Sequence, residues 1–160
     1  MSLTVFGDGK SSVVIDHRHP PVYITTWFGV GTEEIFLKFY QANRSVVETH
    51  VAAQQAFVVI SDASHAERPP PAVRARITEL SQDSPDGKPF MVGNYVVLES
   101  ALVRGAFTAM QWLSRKKWPS VVVASPRQAI DRALGDLARA GATPPAGLSA
   151  DGYTRPERPR

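Results

Sequence analysis

The residues best suited to chemistry fall in one short run, Asp62-Ala63-Ser64-His65-Ala66-Glu67, directly after the apolar stretch Phe57–Ile60. An acid, a hydroxyl, an imidazole and a second acid so close together invite a hydrolytic reading. Adjacency does not supply one, because a nucleophile and its base meet through tertiary geometry and need a third, orienting group. No G-x-S-x-G elbow surrounds any serine. The run is read instead as a turn at a strand end, with Ser64 engaged in local hydrogen bonding, and no catalytic residue is assigned. His17 and His19 form a second candidate, since period-two spacing puts both imidazoles on one strand face, half of a metal site. The sequence fixes no third ligand, so two solvated histidines ahead of Pro20-Pro21 are expected and no metal is assigned. Gly29-Val30-Gly31 precedes a helix start and could let a phosphate approach backbone N–H groups. The P-loop lysine and hydroxyl are missing, and Glu34 stands where a dinucleotide fingerprint needs its third glycine. Glu33 and Glu34 would also repel an anion, so a tight strand-to-helix turn is expected and no cofactor. With no cysteine in the chain, disulfides, thiol nucleophiles, thiolate zinc sites and iron–sulfur clusters are excluded.

Two basic groups remain. Trp112 and Trp118 flank Ser114-Arg115-Lys116-Lys117, and Arg68, Arg74 and Arg76 surround Pro69-Pro70-Pro71. Lysine and arginine total 18 against 15 acidic residues, a net charge of +3. That excess is spread over short groups rather than gathered into a stripe, so nucleic acid is not expected as a partner. Aromatic and arginine side chains are frequent anchors of protein interfaces, and a protein partner fits these groups better.

The elements that must position these residues follow from periodicity. The 160 residues suit one domain. Val13–Arg18 and Val22–Phe28 read as an antiparallel pair of strands. Thr32 caps a helix whose first turn holds Glu33 and Glu34 and whose apolar stripe is Ile35, Phe39, Ala42 and Val46. Phe57–Ile60 is a strand covered on both faces. Pro70 or Pro71 opens a second helix with Val73, Ile77 and Leu80 inward. Phe90–Leu98 is the next strand, with Gly93 marking a bulge or a close approach. Ser100 caps a third helix that buries Leu102, Val103, Ala106, Phe107, Met110 and Leu113 and ends at Trp118-Pro119. Val121–Ala124 is a short strand. Ser125-Pro126 starts the last helix, with Ala129, Ile130, Ala133, Leu134 and Leu137 buried and Gly141 at its end. The predicted order, β-β-α-β-α-β-α-β-α, makes an α/β domain with a mixed, mostly parallel sheet covered by about four helices. It occupies residues 1–142; residues 143–160, rich in proline and poor in large apolar side chains, are expected to form a flexible tail. No apolar run approaches the roughly 20 residues of a membrane span, and no basic-then-apolar leader opens the sequence, so a cytoplasmic location is expected.

This order resembles the STAS fold of sulphate-transporter tails and bacterial anti-sigma-factor antagonists, and more closely the divergent stand-alone proteins similar to sporulation antagonists. Val58-Val59-Ile60-Ser61-Asp62-Ala63-Ser64 is similar to the family's aspartate-x-serine strand end, and Val121–Ala129 to its terminal strand and helix start. The resemblance spans roughly Val13–Gly141. It implies a regulatory or scaffolding domain, without catalysis, that acts on a protein partner through the second helix and the loop before it. In the family an aspartate–serine pair, eight to nine residues beyond the strand-end aspartate, carries the phosphorylation switch. Here that pair falls on Pro70 and Pro71, which have no hydroxyl, so the switch does not carry over to this position. The partner-binding surface implied is Ser64, His65, Glu67, Arg68, Pro70, Pro71 and Arg74. Apart from that surface, self-association into a homodimer is a further expectation. The alternative expectation is a small-molecule or lipid-binding domain with a pocket at the C-terminal edge of the sheet, where open α/β sheets usually bind ligands.

Overall fold

The computed structural model describes residues 2–105 and 120–160. Six strands form one sheet in chain order: β1 (Leu3–Gly7), β2 (Ser12–Asp16), β3 (Val22–Val30), β4 (Phe57–Glu67), β5 (Met91–Val97) and β6 (Val121–Val123). β1–β2 and β2–β3 pair antiparallel, whereas β3–β4, β4–β5 and β5–β6 pair parallel. The helices are α1 (Glu33–Ala53), α2 (Pro71–Gln82) and, after β6, α3 (Pro126–Arg139). The mixed, mostly parallel α/β architecture is therefore the one the periodicity predicts, with β1 added at its edge. β1 escapes a sequence reading because Leu3–Gly7 shows no polar–apolar contrast strong enough to separate it from a disordered start. Residues 101–105 are helical, and Ser100 Oγ accepts from Val103 N at 3.4 Å as its capping role predicts. Leu102 and Val103, expected inward, are exposed. The other positions of the helix expected there, including Trp112, the Ser114–Lys117 basic group and Trp118, lie outside the described residues.

Strand alternation divides the core between two faces. On one, Val22, Ile24, Val58, Ile60, Val97 and Val123 meet Ala129, Ile130, Ala133 and Leu137 of α3. On the other, Phe57 and Val59 pack on Val47 of α1, and Trp27 and Val13 on Ile35. Both long helices have the predicted caps: Thr32 Oγ1 accepts from Ile35 N at 3.3 Å, and Ser125 Oγ from Gln128 N at 3.2 Å. Gly29 has a φ of +67°, and a side chain there would collide with the Lys10 carbonyl, which is why glycine stands at this strand-to-helix passage. Gly93 is likewise a close approach, a Cβ there falling 2.8 Å from Asp136 Oδ2 on α3. α2 is held mainly against α1: Arg76 bridges Glu33 at 3.1 Å, and Arg44 donates to the Asp83 carbonyl at 2.6 Å.

Residues 143–160 depart from the expected flexible tail. Leu148 is 8% exposed within the α3 core, and Ala150 and Tyr153 pack against that core. Arg127 bridges Asp151 at 3.0 Å, and Arg158 Nη2 donates to the Lys10 carbonyl at 2.8 Å. The segment crosses the half of the sheet that α3 leaves bare. Proline richness signals disorder only when no surface waits to be covered; here Leu148, Ala150 and Tyr153 meet the core, and Asp151 and Arg158 find polar partners.

His50 lies under Tyr23, whose hydroxyl is 2.8 Å from Nε2, and stacks on Phe57 at 4.8 Å between ring centroids. Burial holds its pKa below the ordinary imidazole value. The unfolded chain therefore takes up a proton more readily, and stability should be complete above about pH 6.5 and fall as pH drops through that value. Thermal melts from pH 7 to pH 5.5 should show this fall, and His50→Gln should flatten it; an unchanged slope in His50→Gln would place the acid sensitivity elsewhere.

Candidate functional site

β4 outruns its neighbour on one side. It pairs with β3 as far as Val30↔Glu67 but with β5 only to Asp62↔Val97. Residues 63–67 thus project past the end of β5 and lead through Arg68–Pro70 into α2. Pro70 takes the cap position without a side-chain hydrogen bond, and Pro71 is the first helical residue. This places Ser64, His65, Glu67, Arg68, Pro70, Pro71 and Arg74 on one continuous shoulder. His65, Glu67, Arg68, Pro70 and Pro71 are exposed, while Ser64 and Arg74 are half-buried. Arg74 is turned back, its Nη1 donating to the Pro69 carbonyl at 3.0 Å, so it braces the loop rather than reaching outward.

A bulge sets the chemistry at the base of the shoulder. Thr26 pairs with Asp62 but Phe28 pairs with His65, so β4 carries one extra residue there. The inserted residue re-aims the strand and returns His65 to the face shared by Phe28, on which it stacks with centroids 5.7 Å apart and planes 8° from parallel. Ser64 N–H closes the bulge by donating to Asp62 Oδ1 at 3.1 Å. Asp62 is buried, and its other oxygen accepts from Arg155 Nε at 2.6 Å. The same guanidinium reaches Glu99 Oε1 at 2.6 Å and His65 Nε2 at 2.9 Å. Burial acts against the charge on Arg155, but Glu99 and Asp62 outweigh it and hold its pKa above the ordinary value.

Beside Asp62 the face has a polar floor. Thr26 and Asp16 are buried, and Arg18 binds Asp16 through Nε at 2.9 Å and Nη2 at 2.7 Å. Burial alone would raise the Asp16 pKa; its hydrogen bonds from Arg18 reverse this and lower it. Tyr153 covers this floor, and its hydroxyl pKa is raised by burial first and by Asp16 and Asp62 next. Two buried carboxylates, each matched by one arginine, form a structural charge array.

The run that invited a hydrolytic reading does not assemble as one. Asp62 faces Arg155 instead of His65, His65 Nε2 faces the same guanidinium, and Ser64 Oγ is buried without a partner among the described residues. His17 and His19 fall outside β2, and no group of three His, Asp or Glu side chains among the described residues is disposed to hold a metal ion. Arg155, Glu99 and Tyr153 are the residues that sequence reasoning misses. The one available signal is Asp62 itself, since an acid closing an apolar central strand requires a cation from elsewhere. A cavity of about 380 Å³ lies on the opposite face, lined among the described residues by Tyr40, Asn43, Ser61, Ser84, Met91 and Asn94 among others. It sits under α1 and the loop after α2, away from the C-terminal sheet edge where a pocket was expected.

An α/β sheet of this order, with its last helix against the parallel strands, is a SpoIIAA-like, and hence STAS-like, fold. The solved structure of an uncharacterised protein of the DUF3478 family from Shewanella loihica PV-4, described as having a SpoIIAA-like fold, matches it with a TM-score of 0.53. The two chains are 10% identical, and the match covers 82% of this chain and 92% of the other. No family model and no curated protein matches the sequence. Among the described residues no helix is long and apolar enough to cross a membrane.

Proposed function

We propose that this protein is a non-catalytic regulatory or scaffolding domain of the bacterial cytoplasm. It docks onto a protein partner through the shoulder formed by the end of β4, the 68–70 loop and the start of α2. One observation carries the reading: the side chains of Glu67 and Arg68 are exposed on a braced backbone and have no ion-pair or hydrogen-bond partner among the described residues. Below them the shoulder is fixed by the bulge, by the Arg74–Pro69 brace and by Arg155, so the backbone that presents them is held in place before a partner arrives, which lowers the ordering cost of binding. Positions 70 and 71 carry no hydroxyl, so phosphorylation at these two positions does not gate docking.

Charge reversal at Arg68 tests this. Arg68→Glu should leave the unfolding midpoint within about 0.5 kcal/mol of the parent, as an unpaired surface position does. In quantitative affinity capture, a protein retained by the parent should fall at least about tenfold, roughly 1.4 kcal/mol of binding. Equal recovery by Arg68→Glu and by Glu67→Lys would remove the shoulder from consideration.

The cavity under α1 supports a second reading, the binding of an uncharged small molecule, because its lining offers neutral hydrogen-bonding groups and its volume falls in the ligand-sized range. Native mass spectrometry of gently purified protein distinguishes the two: a co-purifying mass lost on Asn43→Leu supports the cavity, and the bare chain mass opposes it.

A further inference from the structure

Among the described residues nothing pairs with the outer edge of β1. Its sequence, Leu-Thr-Val-Phe-Gly, has no charged residue and no proline, so it carries neither of the residue types by which exposed edges commonly resist pairing. The orientation of its backbone follows from the ladder to β2. His17 N–H donates to the Ser2 carbonyl at 3.2 Å and Asp8 N–H to the Ser11 carbonyl at 2.9 Å, with unbroken register between them. Antiparallel ladders use alternate residues, so Ser2, Thr4, Phe6 and Asp8 turn toward β2, whereas Leu3, Val5 and Gly7 turn their N–H and C=O groups outward. The Leu3 and Val5 side chains share one face and are 42% and 46% exposed.

We propose that this edge pairs with the same edge of a second copy of the chain. The two β1 strands run antiparallel about a two-fold axis at Thr4, with each Leu3 opposite Val5 of the other copy. In this register Leu3 and Val5 of each strand form four N–H···O=C bonds. All four exposed apolar side chains meet as two Leu–Val cross-strand pairs, and Thr4 faces Thr4 on the opposite side of the sheet, a favourable cross-strand pair. The occupant is a second copy because the strand reads apolar–Thr–apolar in both directions. It also brings no charge of either sign to the contact, so two copies satisfy each other's edge. The contact is well below the roughly 1,000 Å² of a stable interface, so association is weak and depends on concentration. It is independent of the docking shoulder.

Sedimentation velocity of the full chain from low micromolar to about 1 mM gives the test. The parent should shift from monomer toward dimer across that range. Val5→Pro removes only an outward N–H and leaves the β1–β2 ladder intact; it should keep the parent's circular dichroism and remain monomeric. Val5→Lys, which sets a charge on the edge, should do the same and serves in its place if the proline variant does not fold. Val121→Lys, at the opposite edge of the sheet, should associate like the parent. A parent that stays monomeric at every concentration overturns the proposal, as does undiminished association of the Val5 variants.

Discussion

Arg155→Ala should lower stability by about 3 kcal/mol, read as a shift of the urea midpoint with unchanged slope. The Asp62 side chain is 2% exposed, and the substitution leaves its charge buried without a cation. Loss of one partner of a buried pair costs roughly 3–5 kcal/mol; the lower figure applies because Arg155 is 23% exposed and partly screened by solvent. The effect is expected to lie in the stranded carboxylate rather than in lost contacts. Adding Asp62→Asn to Arg155→Ala should therefore restore at least about 1 kcal/mol, although Asp62→Asn alone destabilises the parent. If the second substitution made matters worse by its full separate cost, the two side chains would be acting independently and the clamp would have no energetic content.

Deleting residues 148–160 should have a still larger effect. It removes Leu148 from the α3 core, uncovers Thr26 and Asp16 by taking away Tyr153, and strands Asp62. Burial of two large side chains contributes about 2 kcal/mol each, and with the ion pair the loss exceeds about 5 kcal/mol. That is much of the total stability of an ordinary domain. The shortened chain should melt without a sharp transition or bind a hydrophobic dye at room temperature. A tail that merely trails from the domain would leave the melting curve unchanged, so the two descriptions of this segment part widely in one measurement.

The contrast between α3 and the segment after it shows what a sequence discloses. Ala129, Ile130, Ala133 and Leu137 recur at helical spacing behind Ser125-Pro126, and all four are buried where that pattern puts them. Hydrophobic periodicity reports a regular element that must cover an apolar face. Residues 148–160 cover a partly polar face with irregular backbone, so their partners are fixed residue by residue: Tyr153 over the Asp16–Thr26 floor, Arg155 on Asp62. Such pairing leaves no period to detect. The length of β4 was hidden for a related reason. Its first half is an apolar run, but beyond Asp62 the strand is half-buried and then exposed from His65, and it pairs on one side only, so Ser64-His65-Ala66-Glu67 reads as a loop. The bulge that brings His65 back beside Asp62 depends on pairing with Phe28, thirty-seven positions earlier, and local sequence carries no trace of it.

The shoulder's members were legible as a group because they are consecutive in the chain from Ser64 to Arg74. Their separate roles were not. Arg74 reads as an exposed cation, yet its guanidinium is turned onto the Pro69 carbonyl; Arg68, six positions earlier, points to solvent. His65 reads as part of a strand-end turn on the partner-binding surface, yet it is an aromatic plate between Phe28 and Arg155. One partner lies five residues back, in the loop before α2, and the other ninety residues away.

Site-specific photo-crosslinking in living cells tests the docking shoulder most directly. A photoreactive residue placed at position 68 or 71 should yield a discrete adduct with another protein on illumination, and the adduct should disappear when Glu67→Lys is added. The same probe at Lys38, on the exposed side of α1 where it is paired with Glu34, should yield none. Adducts of equal intensity from positions 38, 68 and 71, or none from the shoulder at the protein's natural abundance, would contradict the account.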